Sequence, residues 1–145
     1  MATLFTDVYS HFLSKISDYD ILEFDISDRE DVFERYLISA VSEFKKNCQD
    51  VDLAYDREMR EFSTDLSDQI LEIITTGMAY YWINPQVLNT DNLRNVMNTK
   101  DFEMYSPANL ILQLRTLRND LRKEFTRMIY EYSYLYGKIE DLAVN

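Results

Sequence analysis

Apolar residues recur at helical spacing from the start of the chain. Leu4, Phe5, Val8, Tyr9, Phe12, Leu13 and Ile16 are separated by Asp7, Ser10, Ser14 and Lys15, the period that turns one face of a helix toward a core. This predicts a first amphipathic helix. Leu22, Phe24 and Ile26 then alternate with Glu23 and Asp25, a period of two that suits a short strand or, as favoured here, an extended linker lying on the core. Ser27 followed three residues later by Glu30 makes a capping box, in which the serine oxygen takes one orphan amide and the glutamate reaches back to another. A second helix is expected to start there, with Val32, Phe33, Tyr36, Leu37, Ala40, Val41 and Phe44 on its buried stripe, fading at Lys45, Lys46 and Asn47.

Residues 48–65 are the least periodic and most charged stretch and read as the longest connection. Ser67 is placed to cap a third helix carrying Ile70, Ile73, Ile74, Gly77, Met78, Tyr81 and Trp82. That helix is expected to stop at Asn84, because Pro85 biases its predecessor out of the helical region. Gly77 in its interior costs about 1 kcal/mol relative to alanine and allows close approach by another helix or, as the alternative, a bend. Asp91 is placed to cap one short helix before an exposed NTKDF loop. Ser106-Pro107 then joins a cap residue to a proline at the first helical position. From there to Tyr136, Leu110, Ile111, Leu114, Leu117, Leu121, Phe125, Met128, Ile129 and Tyr132 keep one face apolar. A helix over 107–136 would be about 45 Å long at 1.5 Å per residue and reads as the spine of the domain.

Composition narrows the fold class. The 145 residues fit a single domain, and two glycines and two prolines cannot supply the turns of a sandwich or barrel. The expectation is an all-α domain over 1–145, of about four or five helices with a long C-terminal one. The same scarcity of glycine excludes dinucleotide, P-loop and nucleophile-elbow motifs. One cysteine, Cys48, cannot form an internal disulfide, and one histidine, His11, cannot supply HExxH or the paired Glu-x-x-His of a di-iron bundle. Cys48 reads as a buried thiol of an intracellular protein and His11 as a surface or boundary side chain. No apolar run approaches a membrane span, and the N-terminus is acidic where a signal peptide is basic.

Charge is uneven. Residues 1–72 hold 18 acidic and 7 basic side chains, whereas 73–145 hold 8 of each. The excess of negative charge disfavours conventional DNA binding. Asp18, Asp20, Glu23, Asp25, Asp28, Glu30 and Asp31 cluster, yet no glycine precedes Gly77, so no EF-hand loop is available and the carboxylates read as solvated. No catalytic, cofactor or metal residues are expected.

Two features of the long helix bear on whether it contacts other chains. Arg115, Arg118 and Arg122 fall at i, i+3 and i+7 on one face, with Arg127 nearby, a solvated face or one that meets an acidic partner such as a neighbouring copy. Tyr130, Tyr132, Tyr134 and Tyr136 alternate, and in a helix that spacing sends aromatic rings to every side. Either the domain wraps them or another chain does.

The segment from Ser67 to Gly137 resembles the head-to-tail connector (neck adaptor) proteins of tailed bacteriophages. The resemblance rests on LSDQILEIITTGMAYYWINPQV, the NTKDFEMYSPAN junction and LRTLRNDLRKEFTRMIYEYSYLYG. It implies a helical, non-enzymatic virion protein without cofactor, made in the host bacterial cytoplasm and placed in the neck between capsid and tail. Copies of such a protein form a ring, commonly of about twelve, beneath the portal protein. The ring extends the channel toward the tail or neck proteins, and DNA passes without sequence-specific binding. The resemblance further implies that Trp82 and Pro85 end the third helix and that Asp101, Phe102 and Tyr105 shape the junction. It also implies that Arg115, Arg118 and Arg122 meet an adjacent subunit. The net charge alone suits an alternative, a soluble acidic helical adaptor or regulator that binds a basic protein.

Overall fold

In the computed structural model, which describes residues 2–17, 30–49, 51–96 and 108–136, every residue from Ile73 to Ala79 is buried. A helix buried all round must have neighbours on every side. It belongs to the third helix of the described residues, and the other three pack on it. The elements are α1 (Phe5–Ser17), α2 (Glu30–Asn47), β1 (Tyr55–Asp56), β2 (Glu61–Phe62), α3 (Asp68–Val96) and α4 (Ala108–Tyr136). The fold is all-α apart from the small hairpin. The spine is therefore α3, not the C-terminal helix, because α4 has only one buried face while α3 has several.

The Ser67 cap and the apolar stripes that fall on described residues are realised. Ser67 accepts the amide of Ile70 at 3.3 Å through its side chain and that of Leu71 at 2.9 Å through its carbonyl, satisfying donors that a bare helix end leaves open. Phe5, Val8, Tyr9, Phe12 and Ile16 of α1 and Leu37, Ala40, Val41 and Phe44 of α2 enter one buried cluster with Ile73, Ile74, Met78, Ile83, Leu121, Phe125 and Ile129. Edge-on rings join α1 to both α2 and α3: Phe12 meets Phe33 at 5.6 Å and Trp82 at 6.5 Å between centroids. The alternating segment 22–26, the Ser27 cap, the Ser106-Pro107 cap and the side chains of Leu110 and Ile111 lie outside the described residues.

Pro85 does not end α3, which runs through it to Val96, and Asp91 consequently opens no separate helix. A proline inside a helix forfeits one hydrogen bond and costs about 3 kcal/mol. Here Ile83 and Val87, on either side of it, are buried, while Pro85 itself faces outward. Burial of that flanking pair contributes a few kcal/mol, roughly 1.5–3 for each side chain, and offsets the loss.

The charged connection holds order that its composition hides. Tyr55 pairs with Phe62 and Asp56 with Glu61 across the β1–β2 hairpin. The N-terminal residues lie along its other edge: Phe62 donates to the Thr3 carbonyl at 2.8 Å and Phe5 to the Arg60 carbonyl at 2.9 Å. The Thr3 hydroxyl accepts the Leu66 amide at 2.9 Å and donates to Asp65 at 3.0 Å. Phe5, Phe62 and Leu53 fill the space beneath and are fully buried.

Gly77 is the tightest point of the core. A Cβ there would lie 2.6 Å from Phe125 Cζ on α4 and 2.9 Å from Ala40 Cβ on α2. Both neighbours are themselves fully buried and have nowhere to retreat. Gly77→Ala is expected to lose about 1–2 kcal/mol, because overpacking outweighs the gain in helix propensity. Denaturant unfolding measures it, and Phe125→Leu in the same chain should relieve part of the loss. A second expectation concerns alkaline pH. Burial, aided by the Glu34 and Glu30 carboxylates and opposed by Arg60, pushes the Tyr9 phenol up from 10.0 to about 12. The folded state thus prefers the neutral phenol, so this contribution is complete below pH 10 and is lost as pH rises toward 12. Tyr9→Phe should flatten the fall in stability across that window.

Candidate functional site

Helix α4 is about 43 Å long at 1.5 Å per residue and divides sharply into two faces. Leu114, Leu121, Phe125 and Ile129 are buried, with Leu117, Met128 and Tyr132 packed against them. The tyrosine ladder separates as a helix requires. Tyr132 turns inward, its ring edge-on to Phe44 at 5.2 Å. Tyr130 and Tyr134 point outward at 62% and 64% exposure, beside Leu135 at 48%. The side chain of Tyr136 lies outside the described residues, as do Asp101, Phe102 and Tyr105.

The arginines also divide. Arg122 donates to Glu43 Oε1 of α2 at 2.8 Å, and its guanidinium lies 5.1 Å from the centroid of the Tyr80 ring. Tyr81 donates to the same carboxylate oxygen at 3.1 Å. Three helices therefore meet at Glu43. Burial works against the Arg122 charge, yet the hydrogen bond and the attraction of Glu43 outweigh it and raise its pKa. The Tyr81 phenol is raised by burial first, then by the Glu43 charge and hydrogen bond. Arg127 is held along its own helix by Glu124 and, at 2.7 Å, by Glu131, and these carboxylates raise its pKa. Exposed pairs of that kind contribute little stability. Arg115 and Arg118 are half-buried, and Arg118 donates to Asn119 at 3.2 Å.

Around this network the surface is concave. A cleft of about 510 Å³ opens between α2 and α4, with Tyr81, Glu43 and Arg122 beside Ser42, Lys46, Ile129 and Tyr130. Tyr130 also lines two shallower apolar hollows, one toward Lys123 and Arg127 and one toward Tyr134 and Leu135. The aromatic end of α4 and the cleft are thus one continuous surface. Sequence reasoning placed Arg122 and Tyr130 there but missed Glu43, Lys46 and Tyr81. The spacing of Glu43 within α2 carries no mark of Tyr81, 38 residues away along the chain, or of Arg122, 79 residues away.

No group of three or more His, Cys, Asp or Glu residues among the described residues is arranged to hold a metal ion. His11 is exposed and Cys48 is buried. None of the described helices is long and apolar enough to cross a membrane.

Glu43→Gln removes the shared charge while keeping the shape. The Tyr81 phenol should then titrate at lower pH, as read from its ring resonances by NMR, and stability should fall by about 1 kcal/mol given the partial exposure of the pair. Unchanged Tyr81 titration would assign its shift to burial alone.

Comparison with known protein families, characterised proteins and solved structures finds no match to this chain.

Proposed function

We propose that the chain is a non-enzymatic structural subunit that works by self-assembly, as a head-to-tail connector of a tailed bacteriophage. Copies close into a ring beneath the portal, in the virion neck, and extend the DNA channel toward the tail. The resemblance of residues 67–137 to connector proteins motivates the identity, and the outward aromatic face of α4 carries the assembly. Tyr130, Tyr134 and Leu135 stand exposed together near the end of the helix. Tyrosine there is a costly surface residue and an effective interface anchor, its ring buried and its hydroxyl hydrated.

Charge agrees with this reading. A net charge of -11 keeps a channel wall from trapping DNA. Arg122 and Arg127 are engaged by Glu43, Glu124 and Glu131 of their own chain, and Arg118 and Lys123 are the α4 cations that would face the acidic half of a neighbour. Ring closure requires two different faces of each subunit, because a face that pairs with itself stops at a dimer.

Tyr130→Ser combined with Tyr134→Ser tests the assignment. Both residues are exposed, so helical content should be retained by circular dichroism. Self-association in analytical ultracentrifugation should weaken by about tenfold or more, the usual consequence of removing aromatic anchors. Association equal to wild type would remove this face from the assembly. Tight binding of a basic protein by a chain that never self-associates would favour the adaptor instead.

A further inference from the structure

The β1–β2 hairpin presents an apolar side chain for which the fold has no use. Met59, at its tip, is 65% exposed, although methionine adapts well to buried sites. The tip is held in shape. Asp56 accepts the amides of Glu58 at 2.9 Å and Met59 at 3.2 Å, and Arg60 takes a left-handed conformation with φ of 53°. Both arginines of the loop turn back to α2, Arg57 to Glu34 at 3.5 Å and Arg60 to Glu30 at 3.0 Å. With those cations drawn down, the exposed tip offers the Met59 thioether and the Glu58 carboxylate side by side.

The cleft between α2 and α4 is complementary to that pair. Its walls include Ile129 and the rings of Tyr81 and Tyr130; Arg122 is already paired with Glu43 inside it, and Lys46 is its other cation. A thioether gains from contact with aromatic rings, and a carboxylate from a nearby ammonium. We propose that the hairpin tip of one copy docks in the α2–α4 cleft of a second copy, Met59 against the aromatic wall and Glu58 against Lys46. The inference rests on the self-assembly reading and names the two surfaces that meet.

The contact has to be between copies. Arg57 and Arg60 anchor the tip to the N-terminal half of α2 through Glu34 and Glu30. Lys46 lies twelve residues beyond Glu34 on the same helix, about 18 Å along its axis. Within one molecule the tip is therefore held away from Lys46, which lies at the far end of the cleft. Joining unlike surfaces is heterologous, and repetition generates a ring or a filament rather than a closed pair.

A charge exchange tests the pairing. Glu58→Lys and Lys46→Glu alter exposed side chains and should leave the fold intact. Each alone should weaken self-association by about fivefold, the scale of a partly exposed ion pair, and the two combined in one chain should restore it. Photocrosslinking from position 59 should join it to residues 38–47 or 122–130 of another copy. A wild-type chain that assembles while the single variants match it, or while crosslinks from position 59 fall elsewhere, overturns the docking and leaves self-assembly standing. A wild-type chain that stays monomeric at every concentration overturns self-assembly, and the docking with it.

Discussion

The Phe125 ring rests where Gly77 has no side chain, and the arrangement of the helices follows from that contact. Ala40 closes the same gap from α2, so three helices are held at one point by the absence of a methyl group. The contact also sets the outward face of α4. At about 100° per residue, Tyr134 lies about 180° from Phe125 around the helix and Tyr130 about 140°. Once Phe125 is seated, neither ring has a route to the core. The exposed aromatic face is therefore a consequence of packing on the other side of the helix.

Electrostatics adds orientation rather than bulk stability. Lys15 joins α1 to Glu72 and, at 3.2 Å, to the Thr76 hydroxyl of α3, and Arg122 joins α4 to α2 through Glu43. Each pair is partly exposed and weak by itself. Their value lies in fixing how the helices are rotated, and hence which groups line the α2–α4 cleft. The buried hydroxyls follow the same economy: Thr75 donates to the Leu71 carbonyl at 2.8 Å and Thr76 to that of Glu72 at 2.8 Å. No buried side-chain polar atom among the described residues lacks a partner.

Local signals were legible where local physics decides. The stripes of α1, α2 and α4, the Ser67 cap and the close approach at Gly77 could all be read from spacing and residue type. Pro85 was misread because its helix-breaking tendency is local, whereas the burial of Ile83 and Val87 that outweighs it is tertiary. The hairpin was hidden because its strands are only two residues each, too short for a period to show, and its second partner is the distant N-terminal segment. At the candidate site, the alternating tyrosines foretold rings on several sides of α4. That Arg122 would close on Glu43 was not legible, since nothing in α2 distinguishes Glu43 from its other acidic residues until the helices are packed.

The outward aromatic face of α4 runs into the α2–α4 cleft, and the proposed head-to-tail association of identical chains would use that surface. The decisive observation is the shape of the assembled wild-type protein, by negative-stain electron microscopy of the species whose mass light scattering has defined. Closed rings with every subunit in the same environment are the expected result. A two-fold dimer that grows no further at any concentration would show like faces pairing, and would contradict the account.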